Sequence, residues 1–212
     1  MKKFSISLLE SARSNPILFG KSLKEGSSIS NQFGGGRPIS VRWLDAVGIY
    51  HRTLDISLAI SSLEKAFINR KDTSRNRKEV ENLIFALENY VLEFNRLGYE
   101  HLEKAHSMQI ILSPKVKITG WIWLLNMTSS GGRSGFMLTK GIIDTRWQSE
   151  LRFPIIQDYI ANHIYGCELN QVEVGVIDYT NGHHSYISYS KKEISEALVE
   201  LNSIGTSITS LL

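Results

Sequence analysis

The sequence has a single cysteine, Cys167, and no hydrophobic run long enough to cross a membrane. One thiol cannot form an internal disulfide, so the fold depends on packing, as is usual in the reducing cytoplasm. One thiol also excludes a zinc site built from a cysteine–histidine cluster. Since nothing approaches 18 consecutive apolar residues, we exclude a transmembrane helix and expect a cytoplasmic protein without membrane contact.

The sequence also lacks the motifs of familiar phosphate-binding and acyl-transfer sites. The triplet Gly34-Gly35-Gly36 lies in a serine-containing stretch at residues 27–38. It matches neither the GxxxxGK[ST] pattern of a P-loop nor the GxGxxG spacing of a dinucleotide-binding turn. No serine lies in a GxSxG nucleophile motif. The glycine and serine content therefore predicts a flexible or ligand-shaped loop.

The net charge is only +3, which by itself does not indicate nucleic acid. The positive residues are nevertheless concentrated in one stretch, which contains Arg70, Lys71, Arg75, Arg77 and Lys78. Such a run is either a solvated connector between two helices or a segment that contacts phosphates.

At 212 residues with 42% hydrophobic side chains, the chain can bury one sizeable core, and we expect a single domain. We divide it into a mainly helical part at residues 1–106, a sheet core at 107–203 and a frayed tail at 204–212. A brief helix interrupted by Pro16 is expected within residues 5–18. Helical periodicity spans residues 54–67 and, more strongly, residues 80–97, where Gly98 closes the helix.

From residue 108 onward the pattern becomes that of strands. Residues 108–112, 115–125 and 135–143 are apolar runs separated by turn residues. Residues 151–165 are helical in pattern, and residues 172–179 and 184–189 alternate as strands around Asn181-Gly182, which suits a type I′ turn. Ser190 and Glu193 have capping-box spacing, which predicts a final helix to about residue 201. This order predicts an α/β (α+β) fold with a helical N-terminal half and a mixed sheet flanked by helices.

Four positions give this order of elements a resemblance to a known superfamily. Gly120 and Lys140 lie on successive predicted strands, Gln157 lies on the following helix, and His51 is placed just before an early helix. In these features the chain resembles the PD-(D/E)XK superfamily, and within it the RecB-like and CRISPR-associated exonuclease branch. The resemblance implies a restriction-endonuclease-like core, in which acids hold Mg²⁺ or Mn²⁺ ions that activate water.

The active-site motifs of that family are only partly present. Its Gly-x-x-Asp motif falls on residues 120–123, which places Trp123 at the position of the first acid. Its (Asp/Glu)-x-Lys motif falls either on residues 138–140, which keep Lys140 and lose the acid, or on residues 144–146, which keep Asp144 and end in Arg146. Its Gln-x-x-x-Tyr motif keeps Gln157 and loses the tyrosine.

These losses argue against ordinary two-metal hydrolysis. We expect no cofactor and no metal site, and Mg²⁺ or Mn²⁺ only if an acid has been recruited from elsewhere. The nearest acids are Asp144, Glu150 and Asp158, whose plainer interpretation is exposed surface carboxylates. The remaining candidates for a former catalytic site are His51, Lys140 and Gln157, and His51 equally fits a hydrogen-bonding role at a helix start.

Three functions remain open. The first is a catalytically eroded nuclease-fold protein that binds DNA or RNA beside a protein partner in a defence, recombination or mobile-element complex. In it Lys140, Arg146 and the basic run at residues 70–78 contact phosphates, and Gln157 supports them by hydrogen bonds. The second is a structural or adaptor protein that binds another protein through its helices and the strands bearing Trp121 and Trp123. The third is an active metal-dependent nuclease with a migrated acid.

Overall fold

The computed structural model describes residues 1–26, 38–68, 72–103, 105–128, 131–141 and 143–212. Its helices are α1 (Leu9–Ser14), α2 (Pro16–Lys24), α3 (Ile39–Thr53), α4 (Ile56–Lys65), α5 (Ser74–Leu97), α6 (Arg152–Tyr159) and α7 (Lys191–Thr209). Its strands are β1 (Lys2–Ser5), β2 (Tyr99–Glu103), β3 (His106–Ser113), β4 (Val116–Ile122), β5 (Leu124–Thr128), β6 (Arg133–Thr139), β7 (Val172–Asp178) and β8 (His184–Ile187). Short 3-10 helices span Ile6–Leu8, Thr145–Ser149 and Leu169–Gln171, and a π-helical segment, Ile160–Tyr165, continues α6. The predicted fold class, with a helical N-terminal half and a mixed sheet flanked by helices, is confirmed.

The ends of the helices follow capping residues that are visible in the sequence. The Thr73 side chain accepts a hydrogen bond from a backbone N–H in the first turn of α5, and Gly98 ends that helix with a φ of 65°. Ser190 and Glu193 form the expected capping box at the start of α7. The expected brief helix is α1, which ends at Ser14, and Pro16 begins α2, because the first helical position needs no N–H donor.

The predicted frayed tail at residues 204–212 is wrong, because α7 continues to Thr209. Its buried residues recur every three or four positions along one side and include Leu201, Ile204 and Ile208. The core side of α7 is therefore continuous past residue 201, and packing holds the last turns in place.

One long β-hairpin joins two sheets. Its first arm is β2 and β3, and its second arm is β4 and β5. Each arm is interrupted once, between β2 and β3 and between β4 and β5. The pairing register is the same on both sides of this interruption, since Glu103 lies opposite Leu125 and His106 lies opposite Ile122. At one end β4 also pairs in parallel with β1, giving a three-stranded sheet of order β1-β4-β3. At the other end the hairpin belongs to a five-stranded sheet of order β2-β5-β6-β7-β8.

The five-stranded sheet lies between two helical layers. Leu124, Phe136 and Ile177 point into a core formed with α3, α4 and α5. Leu125 and Val176 point to the other side, into a larger core shared with α6, α7 and the inner face of the three-stranded sheet. β6 and β7 are parallel, and α6 lies on the crossover that connects them. None of the helices in the described residues is long and apolar enough to span a membrane.

The turn between β7 and β8 differs from the type I′ prediction. Asp178 N–H donates to the His183 carbonyl at 2.8 Å, so four residues form the loop, and of these only Gly182 has a positive φ, 77°. The loop packs on α5, where the Asn89 side chain donates to Asn181 O at 2.8 Å. A Cβ on Gly182 would lie 2.4 Å from the Ala86 carbonyl oxygen. Glycine is therefore required there both by φ and by the close approach of a helix.

Candidate functional site

The carboxyl ends of β6 and β7 meet at one edge of the five-stranded sheet. Thr139, the last residue of β6, lies opposite Asp178, the last residue of β7. In open α/β sheets, the crevice outside the carboxyl ends of the strands is the usual position of a ligand. Two cavities open at this edge, and Lys140, which directly follows β6, lines both of them.

The first, which we call the loop-side cavity, has a volume of about 500 Å³ and lies between the end of β6 and the segment that leads to α6. Its charged lining residues are Lys140, Asp144, Arg146, Glu150 and Arg152. The structure therefore brings together three residues that the sequence had marked as site candidates, Lys140, Asp144 and Arg146.

Ion pairs with neighbouring arginines neutralise the acids of the loop-side cavity. Asp144 accepts hydrogen bonds from the Arg146 side chain at 2.7 Å and from Arg146 N–H at 2.9 Å. The Arg146 guanidinium thereby holds the pKa of Asp144 below its ordinary value. Arg152 Nε and Glu150 Oε2 form an ion pair at 2.6 Å, but their geometry is not that of a hydrogen bond. In the part of the chain that the structure describes, the Lys140 ammonium makes no such contact, and Lys140 is exposed.

The second, the helix-side cavity, has a volume of about 280 Å³ and lies between Lys140 and the start of α5. Arg75 and Lys78, three residues apart on one side of α5, contribute to its lining together with Glu79. Both basic side chains are exposed. The cavity thus brings part of the basic run to the same lysine as the loop-side cavity.

Arg77, another residue of the basic run, lies away from Lys140. Arg77 forms an ion pair with Asp72 at 3.3 Å and lines a third cavity, of about 400 Å³, between α4 and α5. Arg70 and Lys71 lie outside the described residues. Of the residues of the run that the structure describes, Arg75 and Lys78 are therefore the ones that lie beside Lys140.

The strand register of the acid-x-lysine motif follows from the end of β6. We expected this strand to run to residue 143, but it ends at Thr139 because Gly141 has a φ of 95°, which breaks the extended backbone. Residues 138 and 139 therefore lie on the strand directly before Lys140. Asp144 instead caps the following 3-10 helix, so residues 144–146 are not a strand motif.

Gln157 is a buried structural residue and does not support Lys140 or Arg146, contrary to expectation. Its amide nitrogen donates to Leu169 O at 2.9 Å and to Tyr189 O at 3.1 Å. Its amide oxygen accepts from Tyr189 N–H at 2.7 Å. The side chain thereby connects α6 to the chain that precedes β7 and to the chain that follows β8, and it satisfies backbone groups that would otherwise be buried without partners.

His51 belongs to the helical layer on the other side of the sheet. It lies in the last turn of α3, five residues before α4 begins at Ile56. Its Nε2 is 2.9 Å from the Tyr90 hydroxyl, and its ring centroid is 4.3 Å from that of Phe94. His51 lines neither of the two cavities at Lys140.

Asp178 is an acid at this edge that the sequence analysis did not select. Its Oδ1 accepts from Thr180 N–H at 2.9 Å and from the Thr180 hydroxyl at 2.7 Å. Its Oδ2 is buried and has no hydrogen-bond partner among the residues that the structure describes. The sequence signal was an aspartate directly after an apolar strand and two residues before a threonine, a pattern typical of a side chain that caps a turn. Asp158, which we had considered, instead accepts from Asn162 on the surface of α6.

The side chains at this edge that could ligate a metal do not fit the two-metal site of the superfamily that the sequence resembles. Trp123 occupies the position of the first acid, and indole does not bind magnesium. Asp144 and Glu150 are each paired with an arginine. Within the described residues, no group of three or more histidine, cysteine, aspartate or glutamate side chains could hold a metal ion. We therefore assign no hydrolytic step to this edge of the sheet.

Trp121, Trp123 and Trp147 differ in their burial and in the residues that they contact. Trp147 is buried and packs edge-on against Phe153 at 4.7 Å between ring centroids. Trp123 is partly buried and contacts both cores. Trp121 is 49% exposed and stacks on Trp123 with centroids 6.1 Å apart. Core packing thus accounts for Trp147, and it leaves Trp121 without an explanation.

No family model matches the chain, and no curated protein matches it. Among solved structures, a protein from Eubacterium rectale described as "Putative exonuclease" is similar at 12% identity with a TM-score of 0.48, over 100% of this chain and 83% of that one. The structure of SSO0001 is similar at 11% identity with a TM-score of 0.32, over 97% of this chain and 87% of that one. At these values neither likeness assigns a family or an activity to the chain.

Proposed function

We propose that the chain binds DNA or RNA through the two cavities that meet at Lys140. The observation that supports this proposal is the convergence of basic side chains from distant parts of the sequence. Arg75 and Lys78 come from α5, Arg146 comes from the 3-10 helix that precedes α6, and Arg152 is the first residue of α6. Lysine and arginine side chains grouped in this way provide the phosphate contacts on which nucleic-acid affinity mainly depends.

The charges in the two cavities favour an anionic ligand. Among their described lining residues, five are cationic, and the carboxylates are Glu79, Asp144 and Glu150. Lys140 can bind a phosphate without first losing another partner. The Arg146 side chain is 90% exposed, so a phosphate can replace Asp144 as the partner of its guanidinium.

Binding of this kind is expected to be independent of base sequence, because phosphate contacts position a strand without reading its bases. Since the donor set does not fit a two-metal centre, we further propose that the chain acts as a binding subunit beside a catalytic partner. The resemblance seen in the sequence suggests defence, recombination or mobile-element complexes as the setting.

The test is binding of labelled single- and double-stranded DNA and RNA at low and moderate salt, with Mn²⁺ or with EDTA. We compare the double variant Lys140→Ala/Arg146→Ala with Lys191→Ala/Lys192→Ala. The control removes the same charge from exposed positions on α7 that line neither cavity. Loss of two phosphate contacts should weaken binding to every sequence and reduce the slope of log K against log salt by about 1.8 for duplex DNA. The control should bind as the wild type does.

Equal binding by the wild type and the Lys140→Ala/Arg146→Ala variant would refute the assignment of these cavities. Cleavage that needs Mn²⁺ would show instead that an acid has been recruited outside the expected motif, and Asp178 would be the first residue to replace. Binding without cleavage is the result that we expect.

A second candidate function, protein binding by an adaptor, is favoured by the exposed side of α5. Phe85 and Leu92 lie seven residues apart on one side of this helix and are 56% and 66% exposed. Glu81 and Glu88 are on the same side of the helix, so acidic side chains lie beside these apolar ones. Failure of the wild type to bind any nucleic acid at low salt would favour this candidate.

A further inference from the structure

The three-stranded sheet buries one face in the larger core and exposes the other. Phe4, Met108 and Ile118 are among the buried residues. The alternate side chains form a surface that we call the open face, and they are Lys3, Ser5, Ser107, Gln109, Ile111, Lys117, Thr119 and Trp121. None of these eight residues is acidic, so the open face carries only positive charge.

Trp121 is held in a defined position on the open face. Its ring lies at 23° to that of Trp123, which is itself anchored by packing against both cores. The stacked partner restricts the Trp121 ring, yet 49% of the residue is exposed to solvent. A restrained aromatic ring with a solvent-facing surface is the arrangement on which a nucleobase stacks.

The lysines of the open face lie next to each other at one end of it. Lys3 of β1 is directly opposite Lys117 of β4. Like charges at facing positions destabilise a sheet, and a bound anion would relieve the repulsion. Lys117 is oriented by a hydrogen bond from its ammonium to the Gln109 side-chain oxygen at 3.0 Å. This lysine lies four residues from Trp121, a distance of about 13 Å along a strand.

We infer that the open face binds unpaired nucleotides of a single strand, with a base stacked on Trp121 and the backbone held by Lys3 and Lys117. This inference rests on the proposed function and adds a preference to it. Stacking on a side chain requires a base whose face is accessible, which a paired base inside a duplex does not offer.

The open face adjoins the edge of the sheet where Lys140 lies. β1 pairs with β4 as far as Thr119, and on the same ribbon Trp123 N–H donates to the Phe136 carbonyl of β6 at 3.0 Å. Trp121 lies between Thr119, where the pairing with β1 ends, and Trp123, where the ribbon begins to pair with β6. Lys140 follows Phe136 by four residues, and β4 contacts β6 directly. A strand on the open face can therefore continue toward the two cavities.

The experiment compares the full chain with its variants Trp121→Ala, Trp121→Phe and Ile111→Ala, using labelled oligo(dT) and a duplex of equal length at low salt. Trp121→Ala should weaken oligo(dT) binding at least about five-fold and leave duplex binding unchanged. Trp121→Phe should keep most of the affinity because phenylalanine retains a π face. Ile111→Ala is the matched control, since it removes an apolar side chain that is 70% exposed on the same face. Oligo(dT) should also quench the tryptophan fluorescence of the wild type, and this quenching should be largely lost in Trp121→Ala.

Three results would overturn the inference: wild-type affinity of Trp121→Ala for oligo(dT), equal losses in the alanine and phenylalanine variants, or no quenching of the wild type. Trp121→Phe and the wild-type fluorescence decide the matter even if Trp121→Ala does not fold. If the protein bound duplex DNA through Lys140 and Arg146 but bound no single strand, the inference about the open face would be refuted and the proposed function would stand. Absence of binding to either ligand would refute the proposed function as well.

Discussion

At the scale of single residues, Glu173 is an ionisable side chain whose burial has a measurable cost. It lies on β7 opposite Ser134 of β6, in a sheet that is covered on both faces. Desolvation by burial raises the pKa of Glu173 above its ordinary value. The carboxyl group of Glu173 therefore stays protonated to a higher pH in the folded protein than in the unfolded chain.

We predict that Glu173→Gln stabilises the protein at neutral pH. The pKa of Glu173 is higher in the folded state than in the unfolded state. Its contribution to the free energy of unfolding is therefore fully present below the unfolded pKa, near 4.5, and is lost as the pH rises through the folded pKa. Glutamine has a similar shape and no charge, so it avoids that loss. Urea unfolding should give the variant a higher free energy of unfolding at pH 7 and a nearly equal one at pH 4. A variant that is less stable than the wild type at pH 7 would contradict the pKa direction.

The functional residues were only partly predictable from sequence. Lys140 was identified because the (Asp/Glu)-x-Lys motif of the resembled superfamily falls on residues 138–140, and in the structure Lys140 is exposed directly after β6. Gln157 and His51 were selected by motif, but Gln157 binds Tyr189 and His51 binds Tyr90, each more than thirty residues away in the chain. Contacts at such separations leave no local signal in the sequence.

At the scale of elements, α7 depends on packing along its whole length. We predict that Ile208→Ala lowers the free energy of unfolding by about 2–5 kcal/mol, because Ile208 is fully buried and truncation leaves a cavity. Val199→Ala, on the exposed side of the same helix, should change it by less than about 0.5 kcal/mol. Chemical denaturation of both variants provides the measurement. Equal effects of the two substitutions would mean that the last turns of α7 are not packed.

The helix ends at Gly98 and Ser190 were predicted because capping chemistry is local, whereas the start of α5 was placed at residue 80 and lies at Ser74. The strand β1 was not, since among its four residues only Phe4 is buried, and such a short segment has no periodicity. It is a strand because β4 provides a partner for it. The turn at residues 179–182 was predicted with the wrong type, because its shape depends on Asp178 and on the adjacent surface of α5.

At the scale of the whole molecule, the two cores share the central sheet and meet at Trp123. We therefore predict a single unfolding transition. Trp43 lies in the core with α3, α4 and α5, and Trp147 lies in the larger core, so Trp147→Phe and Trp43→Phe each leave one core with its own buried fluorophore. In each variant the fluorescence midpoint should coincide with the circular dichroism midpoint. Different midpoints within one variant would divide the chain into two cooperative units.

The fold class was predictable because the order of helical and extended segments follows from periodicity. The sheet topology was not, because the single predicted strand at residues 115–125 serves two sheets and changes partners at Trp123. That change depends on β1 and β6, which are far apart in sequence. The convergence of Arg75, Lys78 and Arg146 on Lys140 follows from the same topology and could not be read from a charge run alone.

The pairing of β1 with β4 also determines the order in which the protein is assembled. More than a hundred residues separate Lys2 from its partner Val116. The entropy needed to close so long a loop is recovered only after β4 has formed in its hairpin with β3. We therefore expect β1, although it is synthesised before β4, to dock late, as the strand that completes a sheet already built by later parts of the chain.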